Sequence, residues 1–293
     1  MQTDQQSYSH LLSPLDISHP GGVRTIRNRV LVSAHVPGFA DNNKPGQDYI
    51  SYHRRYAQEG VGLQITGGTP VHRSGMLGLT SDALWNLDDS IVPGYAKLAD
   101  AVHEHGGCML AQLAHSAGTV NIQSPGYSTW SASAVRSAIS GHVSHAMSLD
   151  EIAEVIDAYV AAARRVRESG LDGVEILGAF GFLPQAFLSP LSNARTDQYG
   201  GSFENRQRFL IELLHSVRQA IGPDLLLGVR LPGDEFEPGG LTLKDMTDVC
   251  RELSLHKRVD YLNITAHTNF SHTGRSKHWA PTPAPHGLSL IHI

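Results

Sequence analysis

Six short, almost unbroken apolar runs recur along the chain: "RVLVSA" (29–34), "VGLQIT" (61–66), "CMLAQL" (108–113), "GVEIL" (173–177), "LLLGVR" (225–230) and "DYLNIT" (260–265). Runs of this length without polar alternation read as parallel strands covered on both faces. Between them the apolar spacing changes to that of helices. Ser148 and Glu151 form a capping-box pattern, Ile152, Val155, Ile156, Tyr159, Val160, Ala163 and Val166 line one face, and Gly170 stops the helix. A second helix is expected from about Phe203 to Ile221, with Leu210, Leu213, Leu214, Val217 and Ile221 on one side. A third, after Thr242, carries Met246, Val249 and Leu253. Strand–helix units in succession predict one parallel α/β domain. A doubly wound sheet would need a glycine-rich first crossover, and "SAHVPGF" contains no GxGxxG. A (β/α)8 TIM barrel fits better, with about six of its eight units present. The sixth strand is followed by neither a helix nor further strands, and the last residues read "PTPAPHGLSLIHI", a Pro-rich loop and a few apolar positions.

Composition narrows the class of partner. The chain has 293 residues, enough for one barrel or two smaller domains, with 41% hydrophobic and 17% charged residues. A net charge of -5 gives no reason to expect nucleic acid or an anionic membrane. The 17 histidines are scattered without HExxH or paired spacing, so no metal site is expected. Cys108 and Cys250 cannot build a disulfide framework or a four-thiolate iron–sulfur cluster, which fits a reducing cytosol. No apolar stretch approaches the roughly 20 residues of a membrane span, and the polar N-terminus has no signal-peptide pattern. A cytoplasmic, soluble protein is expected.

In a barrel of this kind the chemistry lies at the C-terminal ends of the strands. Strand one leads into Ser33, Ala34, His35 and Val36. Strand two ends in Thr66, Gly67 and Gly68, where small residues let a flat ligand approach the backbone. Strand three offers Gln112 and His115, strand four Glu175 and strand five Arg230. A buried Arg needs an anionic partner, and an ion pair with Glu175 or Asp234 satisfies that need as well as a ligand does. Gln112 and His115 read equally as satisfied core side chains.

"RTDQYGGSFENRQRF" (195–209) carries more information. Asp197, Tyr199 and the Gly pair suit a tight loop, and Glu204 and Arg208 have i, i+4 spacing for a pair on the next helix. The run resembles the signature of the old yellow enzyme family of FMN-dependent oxidoreductases, including its 2,4-dienoyl-CoA reductase and trimethylamine dehydrogenase branches. The likeness extends from about Leu12 to about Gly287 and takes in "IRNRVLVSAH", "GVGLQITGG", "AQLAHSAG", "GLDGVEI" and "RLPGDEFEPGGLT". It implies that Ser33, Ala34, His35, Val36, Gly67 and Gly68 line the flavin and that Gln112 hydrogen-bonds its pyrimidine edge. Arg230 would then face the N1/C2=O edge, where reduction places negative charge. Arg230, Glu175 and His115 are the candidate catalytic groups on this view.

The departures from the family bear on which reaction is expected. In ene-reducing members the positions of Leu177 and Phe180 usually hold His, or His and Asn, and that of Phe182 holds the proton-donating Tyr; "VEILGAFGFLPQAFLSP" has none of these. Val36 replaces the flavin-linking cysteine of the trimethylamine dehydrogenase branch, so FMN is expected to bind non-covalently. Leu177, Phe180, Phe182 and, beyond the sixth strand, His267 are the expected substrate contacts. An apolar pocket without donors suits dehydrogenation or demethylation of an N-methylated amine, with Phe180 and Phe182 caging a cation, better than enone reduction, where each donor contributes about 10²–10⁴-fold. NAD(P)H or another electron carrier is the expected redox partner, and no iron–sulfur cluster is expected in this chain. Two rivals remain: an NAD(P)H-dependent enoate or 2,4-dienoyl-CoA reductase, and a shortened barrel without flavin or activity. The second arises because the family holds the FMN phosphate with loops after strands seven and eight. Residues 1–287 are therefore expected to form the barrel and 288–293 a non-family tail. An aldolase-like barrel would want a strand-end Lys, and none is present.

Overall fold

The computed structural model describes residues 8–76, 81–118, 128–136 and 141–265, and the backbone of 290–292. Each of the six apolar runs is a strand: β1 (Leu31–Val32), β2 (Leu63–Ile65), β3 (Cys108–Ala114), β4 (Gly173–Leu177), β5 (Leu226–Pro232) and β6 (Tyr261–Thr265). They pair in chain order, all parallel, in one curled sheet. A further strand, β7 (Leu290–His292), joins the β6 edge antiparallel, with Leu262 opposite His292. This strand, within the expected non-family tail, runs in the direction opposite to that of a (β/α)8 strand. The Pro-rich stretch before it and His267 fall outside the described residues.

The crossovers are α1 (Gln47–Gln58), α2 (Val92–His103), α3 (Leu149–Glu168), the short α4 (Leu183–Leu188), α5 (Phe203–Ile221) and α6 (Leu243–Leu255). Three of these, α3, α5 and α6, begin where the sequence signals place them. The Ser148–Glu151 capping box is formed on α3, and Thr242 with Asp245 makes a second on α6. Glu204 and Arg208 do not pair. Arg208 donates to the Gln198 carbonyl (2.8 Å) and to Asn205 Oδ1 (3.2 Å), while the Glu204 carboxylate, in the first turn of α5, is held by its own backbone N–H and by the Ser202 side chain. Among the described residues, no helix is long and apolar enough to cross a membrane.

Strand alternation sends two sets of side chains to two cores. Met109, Ala111, Leu113, Val174, Ile176, Leu227 and Val229 pack outward with Val155, Tyr159, Leu210 and Leu213 of the helices. Leu63, Ile65, Leu110, Leu226 and Tyr261 pack inward, with Ile17 and Ile26. These two come from a hairpin, Leu15–His19 with Gly22–Ile26, that sequence patterning did not locate. The hairpin is moored at the N-terminal ends of the strands: Gly21 N donates to Pro223 O (2.9 Å), and Arg24 meets Asp172 at 2.6 Å. Asp172 also accepts from Met109 N (2.7 Å). Asp260 repeats the device before β6, accepting from Leu227 N (2.7 Å) and pairing with Arg218 (2.6 Å). One end of the sheet is therefore plugged and pinned, and the other is left for side chains that need not contribute to stability.

Candidate functional site

Moving up the inner face toward the strand C-termini, register sets Gln112 beside Glu175, Glu175 beside Gly228 and Gly228 beside Tyr261. Gly228 is required by a close approach, since a Cβ there would lie 2.0 Å from the Tyr261 ring. The ring crosses the gap, and its hydroxyl donates to Glu175 Oε2 (3.0 Å). Gln112 Nε2 donates to Oε1 (2.7 Å) and Asn263 Nδ2 to Oε2 (3.1 Å). Glu175 is fully buried. Burial pushes its carboxyl above the usual carboxylate range, while the nearby Arg230 charge and these donors oppose that shift. With three donors aimed at it, Glu175 is an acceptor that holds Gln112 and Asn263 in place, and its oxygens do not bond Arg230.

The next layer places Leu177 beside Arg230 and Arg230 beside Asn263. Arg230 is only 8% exposed, yet its contacts are sparse. Nη1 reaches the Ala34 carbonyl at 3.3 Å, the guanidinium lies 4.9 Å from the centre of the Phe180 ring, and Nε has no partner. Asp234 is turned away, accepting from Phe236 N (2.6 Å) and Leu243 N (3.0 Å). The ion pair left open by the sequence is therefore not formed with either carboxylate. Asn263 Oδ1 and Ser33 Oγ also lack partners. Buried groups of this kind are normally satisfied, and each orphan needs a reason. Here a donor and an acceptor stand at neighbouring strand ends, the complement of a planar N–H/C=O edge.

The flanking backbone fits such a ligand. A Cβ on Gly67 would lie 2.4 Å from His35 O, so the ends of β1 and β2 meet with no room for a side chain. Thr66 Oγ1 accepts from Gln112 N (3.0 Å), tying this corner to β3. Ser33 and Ala34 are half-buried at this corner, with Gly68 buried beside Gly67. Of the residues expected to line the flavin, His35 and Val36 are exposed; the His35 ring meets Ser33 O (3.1 Å) and the Tyr52 hydroxyl of α1.

Leu177, Phe182, Ala179 and Ala114 form one apolar cluster, with Phe180 packed against it. The expected substrate contacts on this loop are thus brought together. Phe180 has φ +60° and Gly181 +79°. The left-handed conformation is costly for a bulky residue, and such strain gathers at functional sites.

His115, the third candidate catalytic group, is enclosed by hydrogen bonds of the protein itself. Its ring is fully buried, Nδ1 accepts from Ala117 N (3.2 Å), and the proton therefore on Nε2 is donated to Ser74 Oγ (2.9 Å). Gly75 makes space for it, since a Cβ there would fall 2.3 Å from the ring. Its carbonyl accepts from Leu183 N (2.9 Å), fixing the start of α4. Burial pushes its pKa down to about 3. A neutral ring whose Nδ1 accepts from backbone and whose Nε2–H donates to Ser74 holds its neighbours in place, with both nitrogens already engaged. The native state then takes up no proton there where the unfolded chain does, so this contribution is complete above pH 6.5 and lost as pH falls toward 3. Between pH 6 and 5, wild type should lose about 1 kcal/mol more stability than His115→Gln. Denaturant unfolding at the two pH values measures this, and equal losses would show that His115 is not held neutral.

Asn263 and Tyr261 were missed by sequence reasoning, although a lone Asn inside "DYLNIT" carries the same signal as Gln112 in "CMLAQL". Among the described residues, no group of three or more His, Cys, Asp or Glu side chains is arranged to hold a metal ion.

Residues 10–282 match the model of the NADH:flavin oxidoreductase / NADH oxidase family. An N,N-dimethylglycine/sarcosine dehydrogenase of Chromohalobacter salexigens is 37% identical over 265 residues, which is 88% of this chain and 37% of that protein. A probable flavin mononucleotide-dependent alkene reductase of Leishmania infantum is 33% identical over 307 residues, covering 96% of this chain and 80% of the reductase. Among solved structures, a 2-naphthoyl-CoA reductase in complex with 2-naphthoyl-CoA superposes with a TM-score of 0.82 at 30% identity, over 90% of this chain and 41% of that one. The chain therefore spans well under half the length of the dehydrogenase it resembles.

Proposed function

Because the chain belongs to the NADH:flavin oxidoreductase / NADH oxidase family, we propose that it binds FMN non-covalently at the strand ends and oxidises a small N-methylated amine. Arg230, Asn263, Ser33 and the Gly67–Gly68 turn would hold the isoalloxazine, and Gln112, set by Glu175, would meet its pyrimidine edge. FMN, when bound, supplies the hydride acceptor. NAD(P)H or another electron carrier would be its redox partner.

The observation that carries this reading is the loop after β4, where Leu177, Phe180 and Phe182 offer a substrate only hydrocarbon beside a buried guanidinium. The Phe180 ring already faces Arg230, so the expected aromatic cage for a cation is replaced by a desolvating wall. Both the wall and the Arg230 charge disfavour an ammonium ion and favour the neutral amine. Only the neutral amine has the lone pair that lets a methyl carbon give up hydride, leaving an iminium that water cleaves. An enone would find no side-chain donor on this loop for its carbonyl or its α-carbon.

The likeness to an alkene reductase over most of that protein's length supports a second reading, reduction of an activated alkene. Paired kcat/KM measurements with dimethylglycine- or methylproline-type amines and with cyclohexenone decide between them. Amine oxidation should dominate. Efficient enone reduction with every amine ignored would sink the first reading in favour of the second.

A further inference from the structure

The strained turn under Arg230 is gripped from behind by a buried carboxylate. Glu235, three residues past the end of β5, is fully buried and accepts from Gln185 Nε2 (2.6 Å), Ser189 Oγ (2.8 Å) and Leu241 N (2.7 Å). These donors are all neutral, and burial pushes the Glu235 carboxyl upward, helped by the charge of Asp234 next to it. There is no slack around it: a Cβ on Gly240 would fall 2.6 Å from Glu235 Oε2. Gln185, in α4, is also fully buried, and its Oε1 accepts from Gly181 N at 2.7 Å. A carboxylate facing the amide NH₂ strengthens the opposite oxygen as an acceptor. The chain Glu235–Gln185–Gly181 thus ends on the peptide that joins Phe180 to Gly181, the two consecutive left-handed residues of the loop.

We infer that Gln185 and Glu235 are positioning residues that hold the Phe180–Gly181 turn against Arg230 and so select which substrates the apolar wall accepts. The inference rests on the reading of that wall as the substrate's. Arg230 and Glu235 lie five residues apart on one segment, so the segment that supplies the cation also fixes the ring stacked on it. Left-handed Phe180 is sustained by this grip, because a free loop would relax it.

The test uses the FMN-loaded full chain. Gln185→Met keeps the volume and removes both hydrogen bonds. It should speed amide exchange in peptides covering 178–182 about tenfold while FMN affinity stays unchanged. The ratio of amine to enone kcat/KM should move about threefold or more, mainly through KM. Gln185→Glu supplies a second variant in case the first fails to fold. Two facing carboxylates repel, so exchange at 178–182 should be fast at neutral pH. It should slow on acidification, when the introduced acid can donate to Glu235 and still accept from Gly181, whereas wild type, corrected for intrinsic exchange, should show no such recovery. Unchanged exchange in both variants would overturn the inference. The exchange arm needs no turnover, so a protein that oxidises no amine would fail the functional reading alone.

Discussion

Arg230→Ala should weaken FMN binding by about 10- to 100-fold, the loss of one charge-assisted contact worth roughly 1.5–3 kcal/mol, and should lower the flavin reduction potential. The expectation follows from how little the protein itself does with this side chain: a single 3.3 Å bond to Ala34 O, a ring face, and a bare Nε. Glu175 keeps its three donors in the variant, so the sheet beneath should survive the change. Arg230→Lys should restore much of the potential and little of the affinity, because an ammonium supplies the charge without the fork. Flavin fluorescence titration and spectroelectrochemistry measure the two quantities. Unchanged values in Arg230→Ala would mean that the guanidinium serves only packing.

Giving the apolar wall a proton donor should produce the largest change in chemistry. Phe182 and Leu177 are both buried in the cluster below the site, so a polar group placed there is held rather than solvated. Phe182→Tyr should raise kcat/KM for cyclohexenone by about 100-fold, the bottom of the range for a positioned donor. Leu177→His with Phe180→Asn supplies carbonyl donors, and Asn tolerates the φ of +60° at 180 better than Phe does. The triple variant should exceed the product of the separate effects, since donor and polariser act on one transition state. Amine oxidation should fall along the same series as the wall loses hydrocarbon. Parallel steady-state assays on both substrates follow this. A triple variant no better than wild type on the enone would show that the wall does not face the substrate.

The strands were legible because a parallel strand covered on both faces leaves few polar positions to blur it. The hairpin carried a weaker signal: "LDISHPGGVRTI" has a turn at its centre, but each arm is only five residues long. Arg230, Gln112 and Glu175 stood out as polar residues in apolar runs, and the structure brings all three to one end of the sheet. Their partners could not be read in the same way. Whether Glu175 bonds Arg230 or Gln112, Asn263 and Tyr261 depends on register across four strands, which no single strand encodes. Glu235 was hidden for a different reason. It sits in "GDEFEPGG" among other acids, where no periodicity separates the one fully buried carboxylate from its half-buried neighbours Asp234 and Glu237.

The crossing of Gly228 by the Tyr261 ring carries a consequence for how this scaffold diverges. A side chain at 228 would expel the ring, and the expelled hydroxyl would leave Glu175 short of one donor, loosening Gln112 and Asn263 beside it. Conversely, a small residue at 261 would open a void beside a glycine that has nothing to fill it. Each position is thus confined by the other, though one lies on β5 and the other on β6. Departures from this pair should arise in lineages as linked replacements, with volume passing from one strand to the next, and a lone change at 228 should be purged well before it reaches the chemistry above.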